Sequence, residues 1–287
     1  MKKDILFALA LSFASLSAFA IAPSDMRFHC NNDTLKINEL LRKGAECGKN
    51  NANELVAFYA KQLLGTPYVA HTLESNREWL TINIDELDCT TFVETLYALT
   101  RATLDMRRSW RDFACNIESI RYRNGELGDY SSRLHYVSDW IANNSHRGNI
   151  REVTAEIDGA KYEIKTINFM TANRDKYPQL SDSAMFAKIK NFEIGYRMHR
   201  YPYLKKEWID SKKTAAGLKN GDFVALISKT EGLDVSHMGI IIKEGNSFKL
   251  LHASSKEKKV VLEKDDLKET LRRNRSCTGI RIIRIVE

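Results

Sequence analysis

The chain has no apolar run of the roughly 20 residues that a membrane-crossing helix needs, so no stable membrane insertion is expected. It has no internal repeat and no low-complexity stretch, which sets aside solenoids and long disordered tails. Blocks of one charge are missing too: 44 Lys and Arg are scattered among 37 Asp and Glu, for a formal net charge of +7. That even spread reads as a solvated surface and gives no footing to a nucleic-acid partner. There is no C-x-x-C and no H-E-x-x-H, so the short zinc signatures are absent.

What is present begins at the N-terminus. Lys2 and Lys3 precede an apolar run from Ile5 to Leu16, and Ala18-Phe19-Ala20 follows as a small-x-small cleavage pattern. This reads as a secretory leader over residues 1–20, although Asp4 is out of place in its basic region. Export to the periplasm or medium is therefore expected, with no cysteine near enough to the cleavage site to carry a lipid anchor. Cleavage would leave 267 residues and a net charge of +6. That length suits an N-terminal extension over 21–52 and an α+β domain over 53–287, with a helical, aromatic-rich insertion at about 105–213.

Five cysteines, Cys30, Cys47, Cys89, Cys115 and Cys277, lie beyond the leader. An odd number in an oxidising compartment leaves at least one thiol unpaired. With Cys89 set aside, the other four allow three pairings, of which Cys30–Cys47 with Cys115–Cys277 is the local choice. Buried free thiols are the alternative.

Periodicity predicts a helix over Asn53–Leu64 stopped by Gly65-Thr66-Pro67, and a second opened by Cys89 with Phe92, Val93, Leu96 and Leu99 on one face. Further helices are predicted near Ser132–Ala142 and Asp182–Phe192. Strands are predicted at Phe223–Ile227, His237–Ile242, Phe248–His252, Val260–Leu262 and Gly279–Val286, giving a mostly antiparallel sheet.

A thiol attacks as thiolate, and a helix N-terminus lowers thiol pKa, so Cys89 is the candidate nucleophile. It needs a base, and the base needs a third group to hold its ring. His237 and His252 flank a hairpin whose turn lies near Glu244-Gly245-Asn246. A two-residue turn at 244–245 or at 245–246 puts both rings on one sheet face, directly opposed in the first case and diagonal in the second. His252 is thus placed to orient His237. Ordinary roles compete: a core or cap-adjacent cysteine, and packed or exposed strand histidines. Cys89, His237 and His252 could also hold zinc, but at unsuitably long spacing; no metal and no cofactor is expected.

The segments Leu64-Gly65-Thr66-Pro67-Tyr68-Val69, Asp88-Cys89-Thr90-Thr91-Phe92-Val93, Val235-Ser236-His237-Met238-Gly239-Ile240 and Leu251-His252-Ala253-Ser254-Ser255 resemble, in order and spacing, the NlpC-type papain-like cell-wall cysteine hydrolases. Ser132-Arg133-Leu134-His135-Tyr136-Val137-Ser138-Asp139-Trp140, Asn220-Gly221-Asp222-Phe223 and Thr278-Gly279-Ile280-Arg281 resemble one branch, the N-acetylmuramoyl-L-alanine amidase-like family. The resemblance spans about Asn53 to the C-terminus. It implies a papain-like α+β fold, with the nucleophile helix packed on a small antiparallel sheet, and a Cys89-His237-His252 triad. It also implies an amidase cutting between N-acetylmuramic acid, in its 1,6-anhydro form, and L-alanine of peptidoglycan fragments, the muropeptide partners. A mild positive balance suits such an anionic polymer.

The Cys89 N–H is a natural oxyanion donor, and the resemblance adds Tyr68 beside it. Asp88 and Ser236 read as substrate-positioning groups or, equally, as a helix N-cap and a surface hydroxyl. Tyr136 and Trp140, four residues apart beside Arg133 and Asp139, read as a sugar platform, with a core stripe as the alternative. One departure stands out: the family tends to have glycine after Pro67-Tyr68-Val69, where this chain has Ala70-His71. Two other functions compete. One is a γ-D-glutamyl-diamino acid endopeptidase, with Asp88 holding the free L-alanine amine; the other is an inactive wall-binding protein.

Overall fold

The structure is a computed structural model describing residues 22–287; the leader expected at residues 1–20 lies outside the described residues. Local capping sets where the first helices start. After β1 (Met26–Phe28) and α1 (Asp33–Glu46), the Asn51 side chain accepts the Glu54 N–H at 2.9 Å and opens α2 (Ala52–Gln62). Beyond β2 (Leu80–Ile82), Asp88 closes a capping box with Thr91 and opens α3 (Cys89–Leu104), and Ser109 does the same with Asp112 for α4 (Trp110–Arg121).

The chain continues through α5 (Val137–His146), β3 (Ile150–Glu152), β4 (Lys161–Lys165), α6 (Phe169–Ala172), α7 (Ser183–Ile194), β5 (His199–Lys205) and α8 (Lys212–Gly217). It ends with β6 (Phe223–Ser228), β7 (Val235–Glu244), β8 (Ser247–Ser254), β9 (Lys259–Leu262), α9 (Leu267–Arg273) and β10 (Cys277–Ile285). Strands β4-β5-β10-β6-β7-β8-β9 form one antiparallel sheet in that order, with β3 as an eighth strand paired to β10; β1 and β2 pair in parallel apart from it.

The sheet is covered on both faces. Met238, Ile240, Leu251 and Ala253 join a core with Ile37 of α1, Leu55 and Tyr59 of α2, Phe92 and Leu96 of α3, and Phe113 of α4. Leu226, Ile241, Leu250 and Ile282 face the other way, into a core with Leu267 and Leu271 of α9. Because α3 lies between the other helices and the strands β7 and β8, it is buried almost all round and even its Glu94 is only 3% exposed. A charge there needs a partner, and Arg121 of α4 donates Nε–H to Glu94 at 2.7 Å and Nη1–H to the Thr81 carbonyl at 2.8 Å.

Three expectations are corrected. The sheet is not small, because the middle segment supplies β3, β4 and β5. The alternation of β4, Lys161-Tyr162-Glu163-Ile164-Lys165, is short and turns Tyr162 and Ile164 outward, so it buries no apolar face that would mark a core strand. The helix expected from Ser132 starts at Val137 instead. Tyr130–Ser132 forms a single tight turn capped by Asp129, and Arg133 is extended, so Arg133 lies off the helix and Tyr136 is its N-cap. Tyr130, Tyr136, Ile167, Met170, Leu180 and Ile189 form a third, smaller core.

The cysteines are the third correction, since all five are free thiols. Cys30 and Cys47 stand at opposite ends of the 14-residue α1, about 21 Å apart at helical rise, whereas a disulfide needs Cα atoms within about 7 Å. Cys115 is exposed on α4, and Cys277 is buried at the start of β10, where its thiol donates to the Gly279 carbonyl at 3.2 Å.

Candidate active site

Cys89 is the first residue of α3, and Asp88 is its N-cap. The Asp88 carboxylate accepts the N–H groups of Thr90 at 3.0 Å and Thr91 at 2.8 Å, so its capping role is realised and the Cys89 N–H is not among the groups it takes up. The helix start does not make the thiol acidic. Burial, and then the charge of Asp88, push Cys89 up to about 11, against weaker opposing contributions from the Met238 main-chain N–H and the Thr90 hydroxyl. The expectation of a lowered thiol pKa is thus corrected: desolvation outweighs the helix end. Cys89 packs, partly buried, against the core that contains Met238, the residue that follows His237 in β7.

His237 and His252 meet as the hairpin parity requires. Glu244 pairs with Ser247, so the turn is Gly245-Asn246 and the register is the diagonal one. His237 Nε2 lies 2.6 Å from His252 Nδ1, with the rings edge to face at 4.8 Å between centroids. An extra residue at Ser236, where Leu226 pairs with His237 but Ile227 with Val235, makes a bulge that brings Ser236 and His237 to the same cleft. Burial, followed by the neighbouring His252, drives His237 down to about 3, and burial lowers His252 against the pull of Glu263. With Nε2 engaged by His252, Nδ1 is the ring nitrogen of His237 left for a thiol. No hydrogen bond joins Cys89 to His237 among the described residues; such contacts often tighten only with substrate bound.

Glu263 was not singled out from the sequence. Its N–H donates to the Leu250 carbonyl at 2.9 Å just past β9, and its Oε1 lies 2.9 Å from His252 Nε2. His237, His252 and Glu263 therefore form a row across three consecutive strand ends. No motif announces this glutamate; only its spacing from β9 does.

Tyr68 lies near Cys89 and Asp88, whose charges add to burial in pushing its phenol up to about 12. The loop carrying it is fastened by Tyr68 N–H to the Lys258 carbonyl at 2.9 Å and by Leu87 N–H to the Pro67 carbonyl at 3.0 Å. Tyr68 is thus tied both to the turn before β9 and to the run into α3. His71 is exposed with φ 65°. Left-handed backbone costs a side-chain-bearing residue about 1 kcal/mol or more, which accounts for a preference for glycine here.

Beside the imidazoles lies a cleft of about 390 Å³ lined by Ser236, His237, His252, Lys256, Glu263 and Arg273, among others. Neither Cys89, Asp88 and Tyr68 nor Arg133, Asp139 and Trp140 are among its lining residues, so the cleft adjoins the imidazoles rather than the thiol. Arg133 is buried between Glu74 at 2.9 Å and Glu78 at 3.3 Å, and Asp139 is held by Arg123 and by the Tyr196 hydroxyl at 2.8 Å. Trp140 is 1% exposed inside the main core. The sugar-platform expectation is corrected accordingly: the apolar stripe of α5 turns inward, and Tyr136 donates its hydroxyl to Glu193 at 2.7 Å.

For a metal, both facing nitrogens of the imidazole pair are already spent on each other. Among the described residues, Cys30, Asp33 and Asp85 bring ligand atoms within 4.8 Å, but Lys36 occupies Asp85 at 2.5 Å.

The model of the N-acetylmuramoyl-L-alanine amidase-like family matches residues 59–280. An N-acetylmuramoyl-L-alanine amidase from Bacteroides uniformis ATCC 8492 is 38% identical, with a TM-score of 0.78 over 82% of this chain and 99% of its own. A candidate xylanase from Bacteroides fragilis is 40% identical, with a TM-score of 0.74 over 79% of this chain and 99% of its own. A Legionella pneumophila protein shares the fold at 20% identity, with a TM-score of 0.67 over 88% of this chain and 95% of its own. No curated protein sequence matches the chain.

Proposed function

The chain belongs to the N-acetylmuramoyl-L-alanine amidase-like family, and from that premise we propose that it is an exported cysteine amidase of the NlpC-type papain-like group. Its reaction is hydrolysis of the bond between N-acetylmuramic acid, in the 1,6-anhydro form, and L-alanine of peptidoglycan fragments. One observation carries this reading: the thiol that opens α3 packs against the core beside β7, the strand whose His237 imidazole a second imidazole holds at 2.6 Å.

His237 Nδ1 takes the Cys89 proton as the sulfur attacks the lactyl carbonyl carbon. The thiol is neutral beforehand, so deprotonation accompanies attack. The tetrahedral oxyanion meets the Cys89 N–H, with Tyr68 beside it. On collapse the C–N bond breaks and imidazolium returns its proton to the leaving amine of L-alanine. Water then gives a proton to His237 and its oxygen to the thioester, releasing the muramic acid carboxylate and the free thiol.

The carboxylates beside the helix start and the imidazole pair fit other work. Asp88 caps α3 and Glu263 sits on His252, so neither is placed as the acid of a glycosidase. Incubation with a defined anhydro-disaccharide tetrapeptide, followed by mass spectrometry, tests the reading. Expected products are the free tetrapeptide and the intact disaccharide. Cleavage after D-glutamate would make the protein an endopeptidase, and an unchanged substrate would make it a wall-binding protein.

A further inference from the structure

We propose that Glu263 is a positioning residue that sets the tautomers of both imidazoles and so keeps Nδ1 of His237 as a proton acceptor. The inference rests on the reading of Cys89 and His237 as nucleophile and base, and deepens it.

The protons along one row of atoms follow from its end. An ionised carboxylate only accepts, so His252 Nε2, 2.9 Å from Glu263 Oε1, carries a hydrogen. A neutral imidazole has one N–H, so His252 Nδ1 is bare and accepts. Across the 2.6 Å contact the hydrogen then belongs to His237 Nε2. His237 Nδ1 is consequently bare, which is the state a general base requires. Without a group that accepts only, the opposite assignment is equally open: His252 donates from Nδ1, His237 accepts at Nε2, and Nδ1 of His237 carries the proton and cannot take another.

The surroundings favour this role over a merely structural one. Glu263 is 30% exposed and belongs to the cleft rather than to a core, so little packing depends on it. The other charged groups of the cleft are Lys256 before β9 and Asp265 and Arg273 at α9. Arg273 is engaged with Asp265 and with Glu269 at 2.9 Å, which leaves His252 as the partner of Glu263 Oε1.

The decisive variant is Glu263→Gln, which keeps the shape but offers donor and acceptor alike. Three readouts on the full chain are compared with wild type: kcat and KM on the defined muropeptide, the rate of Cys89 alkylation by iodoacetamide, and the imidazole ¹⁵N shifts of His237 and His252. The expected result is a kcat fall of roughly 100-fold with KM and Tm nearly unchanged. That is smaller than the about 10⁴-fold loss when the carboxylate touching a triad histidine is amidated, because one imidazole intervenes. Alkylation should slow, and the ¹⁵N shifts should move from a single Nε2–H tautomer in each ring to a mixture. Glu263→Ala in added formate, which can enter the open cleft, should recover part of the lost rate. A Glu263→Gln protein with wild-type kcat and unmixed tautomers would overturn the proposal. If wild type cleaves no muropeptide, the functional reading fails separately, and the alkylation and ¹⁵N readouts still decide the role of Glu263.

Discussion

Gly239 stands across the β7–β8 hairpin from His252, one pair beyond Ile240 and Leu251, and a β-carbon on it would lie 2.9 Å from the β-carbon of His252. The same atom would meet Leu250 Cδ1 and the Leu251 carbonyl oxygen, each at 2.9 Å. The missing side chain thus leaves the room that the β-carbon of His252 occupies, on the residue whose ring meets His237 at 2.6 Å.

Gly239→Ala should therefore act on both fold and catalysis. Forcing one carbon into a filled site costs about 1–3 kcal/mol, and displacing the imidazole pair by around 1 Å lowers turnover by roughly 100-fold. Melting temperature and kcat measured on the same preparation check this. Wild-type values of both would show that His252 does not need the approach.

The thiol and imidazole are expected to rest as a neutral pair. Burial holds Cys89 up to about 11 and His237 down to about 3, so the iodoacetamide rate should climb through neutral pH toward about 11. A plateau reached at acidic pH would instead mark a preformed thiolate–imidazolium pair. Cys89→Ala should remove turnover, and with it the labelling at position 89 while the exposed Cys115 still reacts, and should leave the fold intact; strong chelation should leave turnover unchanged.

Acid should weaken the fold before its carboxylates titrate. His135 and His237 are both held down to about 3, first by burial and then by Arg133 and His252 respectively, and His252 is lowered by burial. Their unfolded values are about 6.5, so between those limits the unfolded chain binds more protons and stability falls as pH drops. Stability is full above about 6.5 and is lost progressively toward 3, by about 1–3 kcal/mol after allowing for partial exposure of the rings. Urea midpoints from pH 4 to 8 measure this; a flat profile would mean that the rings charge freely in the native state.

Trp140→Ala should cost roughly 3–5 kcal/mol of stability, the range for removing a large buried aromatic. Activity per folded molecule should stay near wild type, because Trp140 is a core side chain. Loss of kcat/KM for glycan-bearing substrates with stability preserved would return it to the site.

Among the charged pairs, Glu94→Ala should be the most damaging. It strands Arg121, 3% exposed, without its 2.7 Å partner, and an uncompensated buried charge costs about 3–5 kcal/mol. Thermal unfolding of Glu94→Ala beside the double variant Glu94→Ala/Arg121→Met separates the lost pair from the stranded charge: the double variant should be the more stable of the two.

What the sequence determined by itself is what short-range bonding decides. The Asp88-x-x-Thr91 box places Cys89 at a helix start because both caps lie within three residues of each other, and Gly65 at φ 88° ends the run after α2 for an equally local reason. Hairpin parity put His237 and His252 on one face whichever turn formed. The tertiary structure alone chose the diagonal register, since only the paired strands say that Gly245-Asn246 is the turn. It also decided what depends on distant chain. Glu263 reaches His252 through β9, Trp140 is inward because α5 packs it into the main core, and the Cys89 thiol is raised because the sheet and neighbouring helices take water away from it. A helix end is a property of a few consecutive residues, whereas desolvation is a property of everything packed around them.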